Sequence, residues 1–251
     1  MKSALLRLEF RRLQRDPVTI LIVVVLPVVF FLGFTLAVPV ASMPGANSEL
    51  LRAGLMVGMA AYGAATAATS IAGQAAVDRI QGWGRQLALT PLRDRDYVLV
   101  KALVAVGAGV APTLAVFTTG AVTGIALSPL AWVLSGLLVV AGAAIWALYG
   151  LAVGLAGRSQ SATAAASAGL VVLAFAGDVF LPLSGVLQQI GRLSPMYGHV
   201  QLARWPVDGG APVVAGQMAD PWWMILANII VWAALFTVVA VREVKRSRER
   251  R

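Results

Sequence analysis

Long, nearly uncharged apolar segments recur along this chain, and they constrain its fold more than any other feature. A helix of each is long enough to cross the roughly 30 Å hydrocarbon core of a bilayer. These segments are residues 18–40, 53–77, 98–127, 130–156 and 221–241. Barrel strands would instead alternate apolar and polar residues over about ten positions. With 59% hydrophobic and only 12% charged residues, the chain is predicted to be an all-α integral membrane protein.

A sixth apolar segment, residues 161–177, lies near the lower length limit for a membrane span. Counting it gives six transmembrane helices, with the N and C termini both cytoplasmic. In this arrangement 17 of the 20 Lys and Arg residues lie inside, and only Arg52, Arg192 and Arg204 lie outside. Basic residues collect on the cytoplasmic side of membrane proteins. A different number of spans spoils this asymmetry, so the charges support six.

The N-terminal residues, 1–16, have two distinct faces when they are drawn as a helix. Leu6, Phe10 and Leu13 lie on one face, whereas Arg11 belongs to a basic stripe on another. This pattern is typical of a helix lying in the membrane interface against anionic headgroups. The alternative is an ordinary basic segment that orients the first span.

The region before the last span, residues 178–220, alternates short apolar pieces with Gly, Pro and polar residues. No piece is long enough to span, so the region predicts re-entrant helices surrounded by protein. The last span begins with Trp222 and Trp223, at the expected level of an aromatic belt. Residues 242–251 form a basic tail.

The second span is rich in Gly, Ala, Ser and Thr. Small residues let neighbouring backbones approach, so protein is expected to surround this helix. Its pair Gly54/Gly58 has the same spacing as Gly120/Gly124 and Gly150/Gly154. For each pair we favour packing within the chain over a dimer contact.

Residues 78–97 form the cytoplasmic loop between the second and third spans. Gln81–Leu89 can form a short helix with Trp83 and Leu87 on one face, ending before Pro91 because the residue before a proline avoids the helical region. Two interpretations remain open from the residues alone. The loop is either a solvated connection that caps the third span, or a lever that offers Trp83 and Leu87 to a soluble partner.

Motifs in this loop and before the last span follow the order found in one known family. Asp78-Arg79-x-x-Gly82, then Gln86-Leu87-x-x-Thr90-Pro91 and finally Lys101 resemble the cytoplasmic loop of type-2 ABC exporter permeases. Leu181-Pro182-Leu183-Ser184 and Leu193-Ser194-Pro195-Met196-Tyr197 are similar to elements that precede the family's last span. The resemblance covers essentially the whole chain. This sequence departs from the family pattern at Ile80 and Arg85, where the family usually has acidic residues.

The resemblance implies a six-span permease of the bacterial cell membrane that pairs with a second permease, identical or related. Its interfacial helix and its coupling helix, Gln81–Leu89, would rest on two copies of a cytosolic ABC ATPase, which would bind ATP and Mg. The implied ATPase-coupling residues are Asp78, Arg79, Gly82, Trp83, Arg85, Gln86, Leu87, Thr90 and Pro91. The implied outer gate contains Pro182, Leu183, Ser184, Pro195 and Tyr197, within a re-entrant pair at 180–202.

The expected function is ATP-driven export of a hydrophobic or amphipathic compound, such as an antibiotic, a peptide or a lipid. The chain itself is not expected to be an enzyme, because no lysine follows a glycine as a phosphate-binding loop requires. Nucleic acid is not an expected partner, because the net charge of +9 comes from Lys and Arg that collect on the cytoplasmic side of the spans. No cofactor or metal is expected on it either, since it has no cysteine and one histidine. One alternative is an ion-coupled secondary transporter, which the lack of acids within the spans disfavours. Another is a non-transporting scaffold or sensor that docks a cytosolic partner.

Several polar and aromatic residues outside the loop invite a functional interpretation. For Asp178 we favour a helix-end carboxylate near water over a substrate contact. For His199 we favour an interfacial polar side chain over a ligand or a proton relay. Four aromatic residues are open to lining a hydrophobic path, although packing and interface positions are more usual. They are Trp132, Trp146, Tyr149 and Trp232.

Overall fold

The computed structural model describes residues 21–37, 47–78, 103–157 and 159–249, and every regular element in these ranges is a helix. In chain order the helices are α1 Leu21–Ala37, α2 Ser48–Asp78, α3 Leu103–Val122, α4 Pro129–Gly157, α5 Gln160–Ala176, α6 Gly185–Gly191, α7 Pro195–Asp208 and α8 Trp222–Glu249. The prediction of an all-α membrane protein is therefore confirmed for the described part of the chain.

Four of these helices are long and apolar enough to cross a membrane. The qualifying stretches are Ser48–Gln74, Leu103–Val122, Pro129–Gly157 and Trp222–Glu243. The described parts of α1 and α5 are apolar but shorter; at 1.5 Å per residue, the 17 residues of α5 rise only about 26 Å. The count of six spans therefore stays a prediction.

Two helices extend beyond the segments expected from hydropathy. α2 begins at Ser48, and the Asn47 side chain accepts a hydrogen bond from the main-chain N–H of Leu50 (3.2 Å), as a capping residue does. α8 continues through most of the basic tail to Glu249. Arg, Lys and Glu are good helix formers, so a basic sequence after a span does not end the helix.

The helix α2 lies at the centre of the bundle. Its side chains are buried almost without interruption from Ala53 to Thr69, which confirms that protein surrounds this helix. Its Gly63 faces Pro27 of α1 and Pro112 of α3, and a Cβ there would lie within 3 Å of both rings. Small side chains thus allow several helices to approach α2 closely.

The helix α4 packs along α2 through the Gly150/Gly154 pair. A Cβ added at Gly150 would lie 2.3 Å from the carbonyl oxygen of Thr69, and one at Gly154 would lie 2.4 Å from that of Gly73. The main chains are therefore in direct contact, and packing within the chain is confirmed for this pair. In the pair Gly120/Gly124, by contrast, Gly120 faces Met56 of α2, whereas Gly124 has a φ of 81° in the turn after α3.

Between α5 and α8, the helices α6 and α7 form a hairpin that enters the helix layer and returns to the same end. Its turn contacts Asn228 and Trp232, which lie about 9 and 15 Å along α8 from Trp222 at 1.5 Å per residue. Asn228 Nδ2 donates to the carbonyl of Ser194 (3.1 Å), and Trp232 Nε1 donates to that of Leu193 (2.9 Å).

The base of the hairpin meets the segment 209–221, which leads from α7 into α8. At the start of α6, the N–H of Gly185 donates to the carbonyl of Gly216 (3.2 Å). Just beyond α7, the N–H of Asp220 donates to the carbonyl of Gly210 (3.1 Å). The hairpin is therefore fastened both at its turn, against α8, and at its base.

Candidate functional site

Buried polar side chains converge at the end of the bundle where the hairpin begins and returns. Asp178, which follows α5, and Asp220, which precedes α8, are 1% and 5% exposed. Each accepts hydrogen bonds from side chains of the hairpin. Since a buried charge is costly unless it is paired, these two carboxylates determine how the elements around them are arranged.

Asp178 joins the end of α5 to both limbs of the hairpin. Its Oδ1 accepts a hydrogen bond from the main-chain N–H of Leu183, just before α6. Its Oδ2 accepts from Gln201 Nε2 (2.9 Å) and from Arg204 Nη1 (2.7 Å), both on α7. The backbone of Asp178 has a φ of 64°, in the left-handed region that Asp tolerates better than most residues.

Arg204 continues this cluster to the central helix α2. Its Nε donates to the carbonyl of Gly54 (2.9 Å), and the residue is 7% exposed. The guanidinium lies against the Gly54/Gly58 pair: a Cβ on Gly58 would be 2.9 Å from Arg204 Nη2. The pair therefore packs within the chain, as predicted, and its partner is an arginine side chain.

Asp220 organises the second cluster. Its Oδ1 accepts from Arg192 Nε (2.8 Å), and its Oδ2 accepts from the hydroxyl of Tyr197. Gln188 of α6 holds Met218 by two bonds of 2.7 Å, one to its carbonyl and one from its N–H. The hairpin and the segment 209–221 are therefore joined through buried, paired polar groups.

His199 lies on the face of α7 that packs against α4. Trp146 Nε1 donates to His199 Nδ1 (3.0 Å), so the ring nitrogen that carries the proton is Nε2, which donates to the carbonyl of Val139 (3.0 Å). A Cβ on Gly142 would lie 2.0 Å from the imidazole ring, so this glycine makes room for it.

Burial dominates the electrostatics of these groups. It raises the pKa of the Asp178 carboxyl, and the neighbouring Arg204 charge opposes that shift. Burial also raises the pKa of Tyr197, with a further increase from its bond to Asp220. It lowers the pKa of His199 to about 4, so this imidazole is neutral at physiological pH.

A small cleft lies between the two clusters, the start of α2 and the segment 209–221. Its volume of about 20 Å³ is sufficient for a water molecule but not for a transported compound. Among the described residues, no group of three or more His, Cys, Asp or Glu side chains is placed to hold a metal ion. The paired groups themselves join α2, α5, the hairpin and the segment 209–221 to one another.

The residues predicted for the outer gate lie around these clusters. Ser184 is the residue before α6, and Pro195 is the first residue of α7. The main-chain N–H of Leu183, next to Pro182, bonds Asp178, and the hydroxyl of Tyr197 bonds Asp220. Their role as a gate remains a prediction.

The predicted interfacial helix and the predicted coupling residues lie outside the described residues, with one exception. Asp78 is the last residue of α2. The central helix therefore leads directly into the predicted coupling loop.

Two interpretations from the sequence are wrong. Asp178 does follow the end of α5, but it is not near water, because the hairpin covers it and Arg204 pairs with it. His199 is not interfacial, because α7 packs it against α4 with no exposed surface. The residues that reasoning from the sequence missed are Gln188, Arg192, Gln201, Arg204 and Asp220.

The packing interpretation of the aromatic residues is confirmed. Trp146, Tyr149, Phe236 and Trp232 form a continuous row in which successive ring centroids lie 5.2–5.8 Å apart. Trp132 packs against Phe117 in the same way, at 5.4 Å. These rings therefore join α4 to α8 and to α3.

The comparisons with known proteins point to transport. No protein family matches the chain. The chain is 26% identical over 247 residues to the Bacillus subtilis (strain 168) protein named "Putative transport permease YvfS", an alignment that covers 96% of this chain and 95% of that one. Together with the apolar helices, this likeness over nearly the whole length of both chains supports a membrane permease.

Proposed function

We propose that this chain is the membrane-spanning permease subunit of an ATP-driven exporter of the type-2 ABC class. One observation carries the proposal: the α6–α7 hairpin lies directly before the last helix of a chain that aligns end to end with a transport permease. Type-2 ABC exporter permeases have two short re-entrant helices at this place. The four helices long enough to span, and the extended basic end of α8, also agree with such a subunit.

In this proposal α1 and α5 also cross the membrane, which gives six spans with both termini in the cytoplasm. The hairpin then enters the membrane from the outer side. Two such permeases, identical or related, form the path for a hydrophobic or amphipathic compound. Two cytosolic ATPases bind ATP and Mg and contact the loop that follows Asp78.

The test is whether an ATPase depends on the coupling helix for binding. Trp83→Asp and Leu87→Asp each place a charge on the predicted apolar face of the coupling helix. Each should abolish copurification of the ATPase with the tagged chain. Each should also abolish ATP-driven transport of a fluorescent lipid in inverted vesicles. Ala88→Asp adds the same charge on another face of that helix and should leave both unchanged. Bound ATPase and full transport in both apolar-face variants would contradict the coupling assignment.

A second candidate is an ion-coupled secondary transporter, and the buried carboxylates Asp178 and Asp220 are the observation in its favour. Each carboxylate is paired with an arginine, however, at 2.7 Å and 2.8 Å. Such pairs serve structure as readily as ion movement. Transport driven by an ion gradient alone, in vesicles without ATP, would favour this candidate.

A further inference from the structure

The guanidinium of Arg204 connects three parts of the molecule. Arg204 lies on α7, within the hairpin. It donates to Asp178, after α5, and to the carbonyl of Gly54 on α2, at 2.7 Å and 2.9 Å. The contact with α2 uses a main-chain acceptor, so it depends on the position of the helix and not on a side chain of α2.

The helix α2 connects this contact to the predicted coupling loop. It has 31 residues, which at 1.5 Å per residue span about 46 Å. Gly54 lies near its first residue, and Asp78, where the predicted coupling loop begins, is its last. A displacement of α2 that starts at Asp78 therefore reaches Gly54 through a single continuous helix.

The contact between α2 and Arg204 is close and fixed in geometry. A Cβ on Gly58 would be 2.9 Å from Arg204 Nη2 and 3.1 Å from the carbonyl oxygen of Val179. An arginine presents its donors in a rigid fork, so the bonds to Asp178 and to Gly54 fix each other's direction. If α2 moves, it must carry Arg204 along or break the buried hydrogen bond from Arg204 Nε to the carbonyl of Gly54.

We infer that Arg204 is the positioning residue that ties the hairpin to α2, so that the hairpin follows displacements of α2. This tie consists of the hydrogen bonds from Arg204 to Asp178 and to Gly54, so it involves only residues of this chain. The part in which ATP hydrolysis causes the displacement rests on the proposed function.

The tie is measured first without any ATPase, in the full chain in lipid nanodiscs. Because the chain has no cysteine, spin labels on Ser48→Cys of α2 and Leu187→Cys of α6, both exposed, report the distance between them within one chain when labelled protein is diluted with unlabelled parent. The parent should give a narrow distance distribution. Asp178→Asn combined with Arg204→Gln should broaden it, while leaving no unpaired buried charge that would prevent folding.

Two further variants separate the tie from general stability. Arg204→Lys keeps a positive charge beside Asp178 but not the fork, so the chain should stay folded and the distribution should broaden. Arg52→Gln removes a comparable bond on the same end of α2, from Arg52 Nη2 to the carbonyl of Thr123 (2.9 Å), and should leave the distribution narrow. A narrow distribution in both Arg204 variants overturns the inference, as does equal broadening by Arg52→Gln.

The second measurement adds the copurified ATPase with ATP and vanadate. The parent distance should shift, and the shift should be lost in the Asp178→Asn/Arg204→Gln variant and kept in Arg52→Gln. A parent that binds its ATPase without any shift, or a double variant that shifts like the parent, overturns the inference. If no ATPase copurifies with the parent, the proposed function fails, and the distribution widths alone decide whether the tie exists.

Discussion

The predicted topology puts Arg192 and Arg204 on the side of the membrane where basic residues are scarce, and an aspartate pairs with each. Taking two charges out of water costs free energy that their mutual attraction largely cancels, so these buried pairs add little net stability. They fix geometry instead. Each pair joins the hairpin to an element more than twenty residues away in the chain, at separations of 28 and 26 positions.

The sequence contains a signal for these pairs, although it does not identify them. Arg52, Arg192 and Arg204 are the three exceptions to the positive-inside pattern, and two of them have a buried carboxylate partner. An exception to a charge pattern is therefore a reason to look for a nearby acid. Which acid lies nearby depends on the path of the hairpin, and hydropathy does not define that path.

His199 should make the protein less stable in mild acid. Its pKa falls from 6.5 to about 4 on folding, so the unfolded chain binds a proton that the folded chain does not. The contribution of His199 to stability is complete above pH 6.5, declines as the pH falls toward 4, and does not change further below that. At 1.36 kcal/mol per pKa unit the full loss is roughly 3 kcal/mol. Thermal unfolding in detergent between pH 8 and pH 5 measures the upper part of this decline.

The matched variant for this measurement is His199→Gln, which cannot take up the proton. It should be less stable than the parent at pH 8 but should lack the decline below pH 6.5. Burial raises the pKa values of Asp178 and Asp208, which act in the opposite direction, so the difference between parent and variant is the quantity to compare. Equal pH dependence in the two proteins would contradict the assignment.

The close approach that joins α2 and α4 is a type of contact that could be predicted from the sequence. Small residues four positions apart predict a close helix approach, and the Gly150/Gly154 pair makes one. The partner helix was not predictable, because any apolar helix presents a similar surface in one dimension. The same limit applies to Gly54 and Gly58, whose partner is an arginine on the hairpin.

Gly150→Ala should destabilise the protein. The new methyl group would lie 2.3 Å from a main-chain oxygen of α2, which cannot move without displacing the helix. Overpacking of this kind costs roughly 1–3 kcal/mol. The measurement is the midpoint of thermal unfolding in detergent.

Gly169→Ala is the control for that substitution. Gly169 also lies within an apolar helix, α5, but nothing lies within 4 Å of a Cβ there. The exchange should be neutral or should stabilise by up to about 1 kcal/mol, the difference in helix propensity. If Gly150→Ala behaves in the same way, α4 does not touch the α2 backbone.

The hairpin shows that hydrophobic periodicity predicts its short helices but not the contacts that hold them. The apolar pieces of residues 178–220 predicted short helices that do not span, and α6 and α7 fit that description. The contacts that hold their turn come from Asn228 and Trp232 on α8. In the sequence these two residues are simply part of an apolar span, so their hydrogen bonds emerge only from the three-dimensional arrangement.

The membrane arrangement of the molecule depends on its two short apolar helices. If α5 crosses, residues 160 and 215 lie on opposite sides of the membrane; if it does not, they lie on the same side. A rise of about 26 Å falls slightly short of a roughly 30 Å core, a mismatch that local thinning of the bilayer can accommodate. The positive-inside pattern, with Arg158 two residues before the first residue of α5, favours crossing.

Labelling of single cysteines in intact cells distinguishes the two arrangements. Gln160→Cys and Ala215→Cys are each placed at an exposed position of a chain that has no cysteine of its own. A membrane-impermeant maleimide should label Ala215→Cys in intact cells but Gln160→Cys only after permeabilisation, and the parent should remain unlabelled. Labelling of both positions from the same side would mean that α5 does not cross. The count of six spans, and with it the outer position of the hairpin, would then be wrong.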